Sequence, residues 1–200
     1  MGDKGSAGLD DRLALMEWSI SHCCGPLYIV SYDYMYFKTT DYSDYLREHG
    51  EHLEPEYKER LERLAPHIDT LRSALLDKCQ AKEIYLCRYS GALLQQMVYD
   101  LEVPTFSAFF RNRGNERRQK FKQGVANRLE SRGPEVHWKR ITRPLEFRRI
   151  LLTDDLLFLQ SFPLQKHSKE EPIDVKSGYG EQGNRVRHLL TQSIEEDKGP

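Results

Sequence analysis

No stretch of this 200-residue chain approaches the roughly 18 consecutive apolar residues that a membrane-spanning helix needs. The first eight residues, Met1 to Gly8, also lack the apolar centre of a secretory signal, and a flexible N-terminus is expected there. Cysteine is scarce. Cys23, Cys24, Cys79 and Cys87 show neither zinc-ligand spacing nor a disulfide framework, so reduced thiols, no metal and a cytoplasmic setting are expected. The loop Gly-x4-Gly-Lys-Ser/Thr, the fingerprint Gly-x-Gly-x-x-Gly and the elbow Gly-x-Ser-x-Gly are missing, and with them the commonest nucleotide-binding and hydrolase assignments. No cofactor is expected. Overall charge is absent too: 30 Lys and Arg face 31 Asp and Glu, whereas a dedicated nucleic-acid binder is usually basic as a whole.

What is present fits one α/β domain over residues 9–164, followed by a polar linker and a C-terminal helix over 165–200. Leu9, Leu13, Met16 and Ile20 recur at helical spacing behind a cap at Asp10 or Asp11, and Gly25-Pro26 stops that helix. Leu27 to Tyr34 is a nearly continuous apolar run, as a strand covered on both faces requires. An acidic helical insertion follows over residues 38–66. The helical register continues through Ile68, Leu71 and Leu75, with Pro66 starting its second half. Lys82 to Arg88 reads as a strand, Gly91 to Asp100 as a short helix, and Val103 to Phe106 as a brief edge strand. Asn115 to Arg132 is a basic helix burying Phe121, Val125 and Leu129, stopped by Gly133-Pro134. Glu135 to Thr142 reads as an edge strand. Leu145 to Phe162 is then a hairpin around Thr153-Asp154-Asp155, with Ile150, Leu152, Leu157 and Leu159 interior. Val186, Leu189, Leu190 and Ile194 mark a last amphipathic helix that docks back. Strands alternating with helices and closed by a hairpin predict a mixed β-sheet with flanking helices.

This order of elements, with Leu-Tyr-Ile-Val-Ser and Ile-Tyr-Leu-Cys strands and the terminal hairpin, resembles one half of the phospholipase D superfamily. The resemblance covers most of residues 9–164 outside the acidic insertion. It implies a His-x-Lys-x4-Asp motif on the hairpin, with His as nucleophile, Lys on phosphate oxygens and Asp supporting the His. It also implies a second copy of the domain to complete the site. Here the aligned slots hold Phe147, Arg149 and Asp154, and Gln160-Ser161 stands where Gly-Ser belongs. A phenyl ring cannot attack phosphorus, whereas an arginine can still hold a phosphate bidentately. Two further histidines have the family's spacing in part. His167-Ser-Lys169 with Asp174 matches the motif but lies in a charged, Pro- and Gly-rich stretch, while His137-Trp-Lys139 lies on a strand but has Pro144 in the Asp slot.

Charge is distributed unevenly. From Arg111 to Arg149 there are thirteen Lys or Arg against four Glu, a local net of +9, interleaved with Phe109, Phe110 and Trp138. Arg117, Arg118, Lys120, Lys139, Arg148 and Arg149 are the candidate anion-binding residues. The same charge would also complement the acidic stretch Asp41–Glu62. A tyrosine cluster around the first strand, Tyr28, Tyr32, Tyr34, Tyr36, Tyr42 and Tyr45, fits core packing with satisfied hydroxyls, the alternative being a stacking wall for a ligand. The expected function is binding or assembly, with nucleic acid, another polyanion or a phosphate-bearing ligand, or with a protein partner. The alternative is an active phosphodiesterase or nuclease completed by homodimerisation.

Overall fold

A computed structural model describes residues 9–31, 50–52, 55–89, 93, 123–125, 127–129, 131–161 and 173–196. Helix α1 (Leu9–His22) buries Leu13, Met16 and Ile20, the face set by their spacing of three and four. It begins at Leu9, so Asp10 and Asp11 lie within its first turn instead of at the cap position. After Gly25-Pro26 the chain enters β1 (Leu27–Ser31), whose Leu27, Ile29 and Val30 are buried. Tyr32, Tyr34 and Tyr36 fall outside the described residues.

Helix α2 (Pro55–Ser73) passes through Pro66 without a break and continues as a π-helical turn over Ala74–Lys78. The proline that occupies the first helical position is therefore Pro55, where its missing N–H costs nothing. The Arg132 guanidinium closes the far end of this run, donating to the carbonyls of Leu76 at 2.8 Å and Cys79 at 2.9 Å. Strand β2 (Glu83–Tyr89) follows as expected. Of the basic helix, 123–125 and 127–129 are described and helical, with Val125 and Leu129 buried. Gly133, at φ +96°, ends it with its amide on the Leu129 carbonyl, a backbone region glycine enters without strain. The brief strand expected at Val103 to Phe106 lies outside the described residues.

Strands β3 (Glu135–Ile141), β4 (Phe147–Leu152), β5 (Leu156–Ser161), β6 (Asp174–Ser177) and β7 (Ile194–Glu196) complete one seven-stranded sheet, ordered β6-β5-β4-β1-β2-β3-β7. β1, β2 and β3 run parallel, and β4 lies antiparallel to β1 and opens the expected hairpin. Two features differ from the sequence expectation. β3 is not an edge strand, because β7 pairs with it over Lys139 to Ile141. The polar C-terminal stretch supplies β6 beside the hairpin and, after helix α3 (Glu181–Ser193), β7 at the other edge. Both strands are four residues or fewer, too short for an alternating pattern to show in sequence.

Each face of the sheet carries its own core. Leu13, Met16, Ile20, Ile68, Leu71 and Leu75 cover Ile29, Ile84, Leu86, Leu151 and Phe158 on one side. Val186 and Leu190 of α3 cover Val30, Cys87, Ile150, Leu152, Leu157 and Leu159 on the other. Ile150, Leu152, Leu157 and Leu159 are thus interior, as expected. The hairpin turn is tied to α1 by a buried 2.6 Å bond between Ser19 Oγ and Thr153 Oγ1. Asp154 completes the tie, its Oδ2 accepting the amides of Cys24 at 2.9 Å and Gly25 at 2.7 Å. A Cβ at Gly25 would lie 2.0 Å from Asp154 Oδ1, so only glycine permits this approach.

Candidate anion-binding site

Strand register places a row of polar side chains where the hydrophobic alternation ends. Gln160 pairs with Arg149, Arg149 with Ser31, Ser31 with Arg88, Arg88 with Arg140, and Arg140 with Glu195. Alternation sets their common face. Ser31 is in phase with Ile29, Arg88 with Leu86, Arg149 with Leu151 and Gln160 with Phe158, all of them in the α1-side core. The row therefore gathers three arginines at the carboxyl ends of the parallel strands. There β1 lies between β2, its parallel partner, and the antiparallel β4.

Burial grades along the row. Arg149 is 9% exposed and its Nη1 donates to Gln160 Oε1 at 2.7 Å. Ser31 is buried as well, whereas Arg88 and Arg140 are partly exposed. Arg140 Nη2 lies 3.5 Å from Glu195 Oε2. A cavity of about 30 Å³ adjoins Arg149, lined by Met16, Ile29, Ser31, Phe158 and Gln160 among others. That is room for roughly one or two waters. Like charges directly opposed across strands repel, and Arg88 stands opposite Arg140.

The three slots of the His-Lys-Asp pattern do not converge. The register shifts between Phe147 and Arg149, with Phe147 opposite Ser161 and Arg149 opposite Gln160, so Arg148 is an extra residue in the ladder. This bulge turns Phe147 to the α3 side, where it packs on the cluster of Val30, Cys87, Tyr89 and Ile150. Arg149 stays on the α1 side. The Tyr89 hydroxyl donates to the Phe147 carbonyl, and burial pushes that phenol well above its usual range. Asp154 lies at the hairpin's other end, about 16 Å along the strand at roughly 3.3 Å per residue, holding the α1–β1 turn.

Of the candidate anion-binding residues, Arg149 joins the row. Lys139 lies on the opposite face and pairs with Glu196. Arg117, Arg118 and Lys120, and the side chain of Arg148, are outside the described residues. Two other described cations of the basic segment have partners within the chain: Arg128 with Asp77 at 2.8 Å, and Arg132 with the carbonyls already named. Those partners come from α2's π-turn and from β7, not from Asp41–Glu62, which is described only at Gly50–His52, Pro55 and the start of α2. Of the two decoy histidines, His167 lies outside the described residues. His137 sits on β3 beside Glu83 and Glu135, level with Leu152 and so at the far end of the sheet from Phe147. Ser31 and Arg88 were not legible as site residues, although Arg88 continues the Ile84, Leu86 phase of its strand.

Among the described residues no helix is long and apolar enough to cross a membrane. The fold is that of a mixed α/β domain with three arginines aligned across its strands. No protein-family model matches the chain, and no curated protein matches it either.

Proposed function

We propose that this chain is a catalytically degenerate domain of the phospholipase D type that binds a phosphate-bearing anion, a nucleic-acid backbone foremost, on the Arg88–Arg140–Arg149 row. The observation that carries the reading is the alignment of three arginines with buried Ser31 at the carboxyl ends of β1, β2 and β3. Guanidinium groups offer paired donors that match phosphate oxygens, and several in line suit a repeating phosphate chain better than a single ion. Phe147 supports the non-catalytic half of the reading, since its ring packs in the opposite core and has no nucleophilic atom.

Binding of a labelled single-stranded oligonucleotide, followed by anisotropy over a salt series, tests this. Affinity should fall with salt at a log–log slope of about −0.7 per phosphate neutralised. The Arg88→Glu, Arg140→Glu double variant should lose binding while remaining folded. Equal affinity in that variant, or no binding at low salt, sinks the anionic partner and leaves assembly with a protein or a second copy. Hydrolysis of oligonucleotide or phosphatidylcholine in the presence of a chelator should be absent. Turnover that disappears in His137→Ala or His167→Ala would overturn the non-catalytic half.

A further inference from the structure

A second polar cluster sits on the other face, at the amino ends of β2 and β3. Glu83 stands directly opposite Glu135, and Tyr85 opposite His137, so the four side chains share one face. Two carboxylates opposed across neighbouring strands repel each other, and something must offset that. His137 Nε2 lies 3.5 Å from Glu135 Oε1 and 4.0 Å from Glu83 Oε1, and one donor atom from each of the three residues falls within 4.8 Å of the others. That nitrogen is closed to solvent and makes no hydrogen bond among the described residues. The ring is held in place by stacking on Tyr85 at 4.5 Å, and Tyr85 stacks on Tyr28 at 4.6 Å. The next basic residue along that face, Lys139, is taken by Glu196, and Arg187 is spent on the carbonyls of Gly178 and Thr153.

We infer that Glu83, Glu135 and His137 form a site for a first-row transition dication, zinc foremost, against the sequence expectation of no metal. An ion bound at about 2.0–2.2 Å holds its donors about 3–4 Å apart, close to the separations already present. Glu135 and Glu83 are the more exposed ligands, so closing the remaining gap needs only rotation of their side chains. One imidazole with two carboxylates selects zinc or manganese over calcium or magnesium, which take all-oxygen shells. Three protein donors leave a coordination position for water. The ion would cross-link β2 to β3, and the stacked tyrosines would fix the histidine as outer partners do in known metal sites.

The test is a calorimetric titration of the chelator-treated full chain with zinc chloride, in a Cys24→Ser background because Cys24 is the exposed thiol. One zinc per chain should bind, and the thermal midpoint should rise with zinc concentration. Glu135→Gln, at an exposed position, should weaken binding at least about 10-fold and His137→Ala by more, with circular dichroism unchanged for the former. No binding at millimolar zinc overturns the inference, as does unchanged affinity in the Glu83→Gln, Glu135→Gln double variant. Retained oligonucleotide binding in these variants separates this site from the arginine row.

Discussion

The two ends of the sheet carry opposite chemistry on opposite faces. At the carboxyl ends of β1 to β3, on the α1 side, Arg88, Arg140 and Arg149 line up with Glu195. At the amino ends of β2 and β3, on the α3 side, Glu83 and Glu135 flank one histidine. The near-zero net charge of the chain conceals this separation. Both ends are mounted on the same apolar strands, so a weak or inverted field at one end leaves the scaffold of the other intact.

The largest expected effect tests whether the two ends share one scaffold. Leu151 is buried between them, and Leu151→Ala should cost about 2–5 kcal/mol in urea unfolding. A single transition is expected, and separate transitions reported by probes at the two ends would break the comparison. Next is the turn clamp. Asp154→Ala strips the acceptor from two backbone amides and should cost roughly 2–3 kcal/mol, with Asp154→Asn recovering part of it. A neutral result for Asp154→Ala in thermal denaturation would show that the clamp contributes nothing to the fold.

Between the ends lies Cys87, whose thiol burial pushes up from 9.0 to about 12, as it does for Cys23. The folded chain keeps these protons while the unfolded chain releases them above pH 9. Stability should therefore fall as pH rises from about 9 toward 12, by at most about 1.4 kcal/mol per pH unit for each thiol. Denaturant midpoints that hold steady to pH 11 would contradict the burial of these thiols. The smallest stability effects belong to the β3–β7 ion pairs. Arg140→Ala and Lys139→Ala should each cost about 0–1 kcal/mol. The two variants separate in binding: Arg140→Ala should weaken oligonucleotide affinity and Lys139→Ala should not, because the two side chains occupy different faces. Equal losses would remove the facial distinction.

The hairpin, the parallel strands and α1 are legible in sequence because their apolar residues repeat with the period of the element and end at Gly, Pro or Asp. The arginine row is not legible, since it exists only once register is known. Arg88 and Arg140 are 52 positions apart and meet because Tyr85 aligns with His137. Period-two counting along Ile84, Leu86 and Arg88 would have put Arg88 on the α1 face, but not beside Arg140. The glycines after β6 are misleading for a related reason. Their density suggests a linker, yet a Cβ at Gly183 would meet the Gly178 carbonyl oxygen at 2.0 Å, so they mark a close backbone approach. Glu195 and Glu196, at the charged end of the chain, partner Arg140 and Lys139 through a three-residue strand that no periodicity announces.

The bulge at Arg148 acts as a frame offset in three dimensions. Point substitution cannot reverse it. A histidine written at position 147 would face Tyr89 and the α3 core, with the guanidinium of residue 149 behind the plane of the strands. Bringing positions 147 and 149 into one cleft requires removing a residue from the ladder, which would carry Phe147 through the sheet and displace it from its packing. On the proposed reading, the phenyl ring at position 147 and the shifted phase therefore reinforce each other. A Phe147→His variant should stay inert on a phosphodiester, and one that hydrolysed it would show that the offset relaxes.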